Sequence, residues 1–305
     1  MNMAAVLSQG HVAVITGAGS GFGLELARHL AQRQMKLVLW DVQPDALAKA
    51  EQAFKQQGIE VLASVVDVSR ADAVAKAAQD AMSRFGIPHL VFNNAGVAAG
   101  GLIWETSSSD WNWVLGVNLH GVIHGVQQFV PAMLAEAKAN ASYRGHVVNT
   151  ASMAGLLTPP NMGVYNVSKH AVVALSETLY QDLRLMTEQI SASVLCPYFV
   201  PTGISQSHRN RPDAAPQATL SQRIGQEMSD KAVGSGKVSA SDVAALVVEA
   251  VDHDRFYIYS HPKALGNVQQ RMQAIVEGNN PPDPFASKPE IGESLRAALR
   301  GEAAR

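Results

Sequence analysis

The chain has 305 residues, 47% of them hydrophobic and 16% charged, with a formal net charge of -2. That is material for one large domain or two small ones with a core, and it provides no basic footprint for nucleic acid or an anionic membrane. The single cysteine, Cys196, excludes an internal disulfide and suits a reducing cytoplasm, and the ten histidines have no metal-site spacing.

The N-terminal stretch "MNMAAVLSQG" lacks the basic and long apolar regions of a signal peptide. Taken in chain order, β-branched runs then alternate with Ala-rich segments of helical period. Strands are predicted at 11–16 ("HVAVIT"), 36–41, 60–68 and 89–96, with helices at 24–34, 44–58 and 70–86 between them. A helix follows at about 108–137, a strand at "GHVVNTAS", a helix from about 163 and a strand at "SASVLCP". Cys196 sits among apolar neighbours, as a buried strand-end thiol would. After Pro197 the texture turns to Pro, Gly, Ser and Gln around one weak helical stretch near 217–231, ending in a hinge-like "GSGK". This segment, 199–238, is expected to form a lid, because it follows a strand's carboxyl end. A helix at 241–251, a strand at 255–260 and a helix at 263–278 complete a dinucleotide-binding catalytic domain over 1–278. Residues 279–305 open with "NNPPDPF", which a helix does not traverse, and are expected to form a polar tail. No window approaches the ~18 uninterrupted apolar residues of a membrane span. Strands apolar on both faces, joined by helices, imply a Rossmann-type, doubly wound α/β fold with a parallel sheet.

The first strand runs into "TGAGSGFG" with glycines at 17, 19, 21 and 23. Phe22 and Leu24 stand where the third glycine of G-x-G-x-x-G would fall, so the pattern is G-x-x-x-G-x-G. Small residues at Gly17, Gly21 and Gly23 let the backbone approach a pyrophosphate, and the following helix offers unpaired N–H groups and its positive end. Asp41 ends the second strand, 18 residues past Gly23, where a carboxylate meets ribose hydroxyls and repels a 2′-phosphate. Neither Val42 and its successors nor Ser20 is basic, which favours NAD over NADP. The competing role for Asp41 is a cap on the helix near Pro44. Asp67 and Val68 are placed for the adenine edge. In "NNAG", Asn94 can tie loops together, while Ala95 and Gly96 leave room for a flat ligand.

Tyr165 and Lys169 share a helix face. A phenol titrates near ~10. A cation ~4 Å away contributes about 4 kcal/mol at an effective dielectric of 20, enough to lower it by about three units before desolvation pushes it back. A Tyr-x-x-x-Lys alone carries little. With Ser152 thirteen residues upstream and the glycine turn in place, the three read as catalytic.

Together these residues resemble the short-chain dehydrogenase/reductase family over about 8–260. The resemblance rests on "TGAGSGFG", Asp67, "NNAG", Asn118 in "GVNLHG", Ser152, "YNVSK" and Thr202. It implies a seven-stranded sheet and hydride transfer between a nicotinamide and an alcohol or carbonyl carbon. By the same resemblance Tyr165 is the proton donor or acceptor, Ser152 polarises the substrate oxygen, and Lys169 holds the nicotinamide ribose. Asn118 would steady a relay water, and Pro197, Phe22, Thr202 and the backbone at Val200 would contact the cofactor. Relatives pair their long helices, so a homodimer or homotetramer is implied.

The sequence departs from the family where Pro197-Tyr198 replaces the usual Pro-Gly. Tyr198 adds an aromatic wall, and with Leu156, Leu157, Met162 and Phe199 it implies a roomy pocket for a hydrophobic alcohol or ketone. No metal is expected. Two other readings stay open: an NADP-preferring carbonyl reductase, and a non-catalytic dinucleotide sensor, which would have no use for a poised phenol.

Overall fold

In the computed structural model, residues 6–211 and 217–301 are described. Seven strands pair in parallel: β1 (Val12–Thr16), β2 (Lys36–Asp41), β3 (Val61–Val65), β4 (Leu90–Asn93), β5 (Gly145–Thr150), β6 (Ile190–Cys196) and β7 (Tyr257–Tyr259), in the order β3-β2-β1-β4-β5-β6-β7. Every residue of β1, β4, β5 and β6 is buried, as their two-sided apolar runs require, while Val65 on edge strand β3 is exposed.

The helices between the strands cover both faces. On one side α1 (Gly21–Gln32), α2 (Pro44–Gln56) and α8 (Ala240–Asp252) set Leu26, Leu30, Phe54, Val247 and Val251 against Ile15, Leu37 and Leu39. On the other, α3 (Ala71–Phe85), α5 (Gly121–Ala139) and α6 (Gly163–Met186) set Val74, Phe129, Met133 and Leu179 against Val14, Val38, Trp40 and Val91. The strand order reverses between β1 and β4, which opens a crevice beyond their carboxyl ends.

The boundaries differ from the periodicity in ways that bear on the site. Strands β3 and β4 end at Val65 and Asn93, so Asp67 and residues 94–96 stand on loops at the crevice rather than in the sheet. The helix expected from 24 begins at Gly21. The long helix expected at 108–137 is α4 (Ser108–Leu115) and α5 joined through a π-helical turn, Gly116–His120, that carries Asn118. Such widened turns recur at functional positions. Two glycines let this helix lie against the β3 loop: a Cβ on Gly121 would come 2.8 Å from Val68 Cγ2, and one on Gly116 3.2 Å from Ser69.

Of the segment 199–238, residues 212–216 lie outside the described residues. The remainder forms a 3₁₀ helix at Gly203–Asn210 and α7 (Leu220–Gly234). After α9 (Leu265–Glu277), the polar tail expected from 279 is instead partly helical. Here α10 (Pro289–Arg300) buries Leu295, packs Gly292 on Phe285 and lies against α7. Pro281, Pro282 and Pro284 precede this helix, whereas Pro289 starts it, since a first-turn residue has no intrahelical N–H bond to lose. Among the described residues, no helix is long and apolar enough to cross a membrane, and no three His, Cys, Asp or Glu side chains gather to hold a metal.

Candidate active site

The crevice has a volume of about 450 Å³. Its floor is the glycine turn. Gly17 and Gly21 adopt positive φ (66° and 54°), and a Cβ on Gly23 would sit 2.3 Å from the Gly17 carbonyl oxygen, so only glycine closes this turn. Helices α4, α7 and α8 begin with Ser or Thr capping boxes, but Ser20 makes no side-chain cap on α1. The first-turn amides of α1 are thus left open where the helix faces the crevice. Asp41 accepts from Gly19 N–H (2.8 Å) and Gln43 N–H (2.9 Å), one bond on each oxygen. Each oxygen keeps a lone pair for a ribose hydroxyl. Asp67 accepts from Ser69 N–H (3.0 Å) and its hydroxyl (2.7 Å), which shapes the loop that carries Val68 to the crevice wall.

A chain of hydrogen bonds fixes the carboxyl ends of three strands to one another. Thr16 Oγ1 accepts from Asn94 N–H and Ala95 N–H (2.8 and 2.9 Å), Asn94 Nδ2 donates to Thr16 O (3.0 Å), and the Thr150 hydroxyl donates to Asn94 Oδ1 (3.3 Å). Lys169 extends the chain to α6 by donating to Thr150 O at 2.8 Å. A Cβ on Gly96 would lie 3.6 Å from Lys169 Nζ and 3.5 Å from Asn118 Oδ1, so the loop at Gly96 lies against both side chains. Asn118 is fully buried. Its Oδ1 accepts from Val97 N–H (2.8 Å), while its Nδ2 donates to Val97 O (2.9 Å) and Ser168 Oγ (3.0 Å). Both amide hydrogens are committed, which makes this side chain a brace between the β4 loop and α6.

Ser152, Tyr165 and Lys169 line one wall of the crevice together. Ser152 Oγ accepts from Ala154 N–H (3.1 Å), and its hydroxyl donates to Pro197 O in a long bond of 3.3 Å. Burial pushes the Tyr165 phenol above its ordinary value, with the Ser152 hydroxyl pulling it partly back. Burial also lowers Lys169 to about 8. The ammonium lies 5.8 Å from the phenol ring centre. Here desolvation outweighs the nearby cation, the reverse of the balance expected from spacing alone. Cys196, at the end of β6, is pushed up to about 12 by burial, an inert thiol.

Other expected residues are distributed unevenly. Tyr198 lines the crevice, its ring tilted 47° from that of Phe199 with ring centres 4.4 Å apart, and its N–H donates to Ser260 Oγ (3.0 Å), which sets the backbone path where glycine was expected. Leu156 packs in the core against Val172 and Val173 with Leu157 beside it, and Leu157, Met162 and Phe199 are likewise absent from the crevice lining. Val200 is buried and Thr202 faces Gly21, both beside Phe22 at the crevice. Apolar lining that the sequence reading missed comes from Val97, Trp113, Val117, Ile204 and Val233. Trp113 and Val117 are four apart and share one helix face, a spacing that could have paired them.

The lid segment is tied down at several points. Ser207 Oγ accepts from Ala98 N–H (2.8 Å), Ser221 Oγ accepts from Leu102 N–H (3.0 Å), and Asn161 Nδ2 donates to Ser221 O (3.0 Å). Arg211 forms an ion pair with Asp110 in which both side chains are 7% exposed. Burial alone would raise the Asp110 carboxyl, but bonds from Arg211 and Ser107 prevail and hold it low.

Comparison with known proteins agrees with this geometry. A family model for short chain dehydrogenases matches residues 11–213. A crystal structure of a short chain dehydrogenase/reductase from Burkholderia phymatum, in complex with NAD, superposes with a TM-score of 0.88 at 49% identity, over 91% of this chain and 98% of that one. The CLA biosynthesis dehydrogenase/reductase of Lactiplantibacillus plantarum is 34% identical over 88% of this chain and 94% of its own. The C alpha-dehydrogenase of a Sphingobium strain is 30% identical over 95% and 93%. With the seven-stranded sheet, the glycine turn and Ser152, Tyr165 and Lys169 on one wall, the chain belongs to the short-chain dehydrogenase/reductase family of oxidoreductases.

Proposed function

We propose that this enzyme interconverts a secondary alcohol and its ketone with NAD(H), acting on a bulky hydrophobic substrate through Tyr165 as general acid and base. The observation that carries the reading is that Ser152, Tyr165 and Lys169 share one wall of a crevice whose opposite end is the glycine turn and Asp41. The NAD of the Burkholderia relative supports the same cofactor here. The open turn of α1 would take the diphosphate, Asp41 and Val42 the adenosine ribose, and Asp67 and Val68 the adenine. The 94–96 loop, Pro197, Val200 and Thr202 would border the nicotinamide half.

When bound, the dinucleotide supplies or accepts the hydride. Tyr165 takes the hydroxyl proton in oxidation and returns it in reduction. Ser152, whose bond to Pro197 O is long, turns its hydroxyl to the substrate oxygen and polarises it. Lys169 spends one of three N–H donors on Thr150 and keeps two for a ribose. Val97, Trp113, Val117 and Tyr198 make the substrate end apolar.

The deciding experiment is steady-state oxidation of a panel of aryl and alicyclic alcohols with each cofactor, followed by reduced-nicotinamide absorbance. The expected result is turnover with a higher kcat/KM for NAD than for NADP. Asp41→Ala should narrow that ratio by about tenfold or more, the worth of one hydrogen bond to a charged group. A wild-type preference for NADP would overturn the cofactor assignment, and binding without turnover would leave a sensor.

The enzyme is also proposed to act as a dimer or tetramer paired through α5 and α6. Much of the apolar stretch at 111–130 is consumed internally by Trp113, Val114, Val122 and Phe129, but Val167 on α6 remains 44% exposed. Light scattering should report an oligomer at micromolar concentration; a monomer would refute the pairing.

A further inference from the structure

Two arginines of the lid segment line the crevice, and they are held differently. Arg211 is committed: it pairs with Asp110, donates to Ser109 Oγ and lies 5.4 Å from the Trp113 ring. Arg209 is exposed, and among the described residues its one bonded partner is the neutral amide of Gln206, at 3.3 Å.

The position of Arg209 follows from the glycines beneath it. Its Nη2 is 3.0 Å from where a Cβ on Gly203 would stand. The preceding residue, Thr202, places its Cβ and Cγ2 3.5 Å from where a Cβ on Gly21 would stand, and Gly21 opens α1. The guanidinium thus packs on the residue that follows Thr202, the side chain facing the uncapped start of α1. The strap that carries it is fixed on both sides of the crevice: Ser207 Oγ accepts from Ala98 N–H and its hydroxyl donates to Ala98 O (3.2 Å), while Gln43 Nε2 donates to Asn210 Oδ1.

Of the charged side chains that line the crevice, Lys169 is bonded to Thr150, Arg211 to Asp110, and Asp41 and Asp67 are anionic. A diphosphate brings two negative charges, whereas the end of α1 offers about half a positive one. We propose that Arg209 clamps the cofactor's diphosphate from the lid side, opposite the glycine turn. This rests on the crevice being the dinucleotide site. A guanidinium suits the task because its forked donors match phosphate oxygens.

The test is calorimetric titration of wild type, Arg209→Met and Arg209→Lys with ADP-ribose, which carries the diphosphate, and with adenosine, which does not. Because Arg209 is exposed, the substitutions do not threaten the fold. Arg209→Met should weaken ADP-ribose by about 10- to 100-fold, the loss of one charge-assisted bond, and leave adenosine unchanged. Arg209→Lys should recover part of the loss, and the salt dependence of ADP-ribose binding should be shallower in Arg209→Met than in wild type. Wild-type affinity for ADP-ribose in Arg209→Met overturns the clamp while the dinucleotide reading stands. An equal loss for adenosine also overturns it, since Arg209 would then only hold the strap in place. If wild type itself fails to bind ADP-ribose, the dinucleotide reading falls and the clamp with it.

Discussion

Replacing Tyr165 by Phe is expected to lower kcat by at least about 10²–10⁴-fold while leaving the fold and the dinucleotide affinity in place. The substitution deletes one oxygen and keeps the ring, so the packing of α6 is retained. What disappears is the phenolic proton donor and acceptor on that wall, and general acid–base catalysis is worth a loss of that size. The pH dependence follows from the environment of the phenol. Burial raises it above its ordinary value, with Ser152 opposing, so the free protein holds it protonated at neutral pH. Ketone reduction, which needs the protonated form, should be level through neutrality and fall on the alkaline side. Alcohol oxidation, which needs the phenolate, should climb with pH over the same range. The measurement is steady-state kinetics in both directions, with a deuterated substrate used to establish that chemistry limits the rate. A Phe variant that keeps more than about a tenth of wild-type kcat under those conditions would remove Tyr165 from the mechanism.

Lys169→Met should separate stability from function. The ammonium is 2% exposed, and burial lowers it from 10.5 to about 8. Between those values the unfolded lysine holds a proton that the folded one has released, so wild-type stability should rise as pH climbs from about 8 to 10.5. Below about 8 the folded protein carries the full cost of a buried charge, roughly 3 kcal/mol by the size of that displacement. Loss of the bond to Thr150 O offsets part of this. The Met variant should therefore melt no lower than wild type at pH 7 and lack the alkaline rise, while turnover and NAD affinity both collapse for want of the ammonium proposed to hold the ribose. Thermal melts across pH, paired with calorimetric NAD titration, read the two effects separately. A variant that melts well below wild type, or that binds NAD unchanged, would contradict this assignment.

How much of this was legible beforehand depends on the range of the interaction. Alternating apolar runs, a glycine turn after the first strand, an acid at the end of the second and a Tyr-x-x-x-Lys on one helix face are local patterns. Backbone periodicity and φ limits act over a few residues, so a parallel α/β sheet, the turn at Gly17–Gly23 and the pairing of Tyr165 with Lys169 follow from the sequence. The structure decided what depends on contacts between distant segments. Leu156 is apolar and close to Ser152 in sequence, yet it faces Val172 and Val173 rather than the crevice, because apolarity does not say which surface a residue covers. Asn118 braces Val97 and Ser168 from a π-helical turn that no periodicity distinguishes from an α-helix. The lid is held by Arg211 on Asp110 and Ser221 on Glu105, pairs separated by 101 and 116 residues. The phenol of Tyr165 shows the same division: spacing supplied the cation that would lower it, but only the folded chain supplies the burial that raises it further.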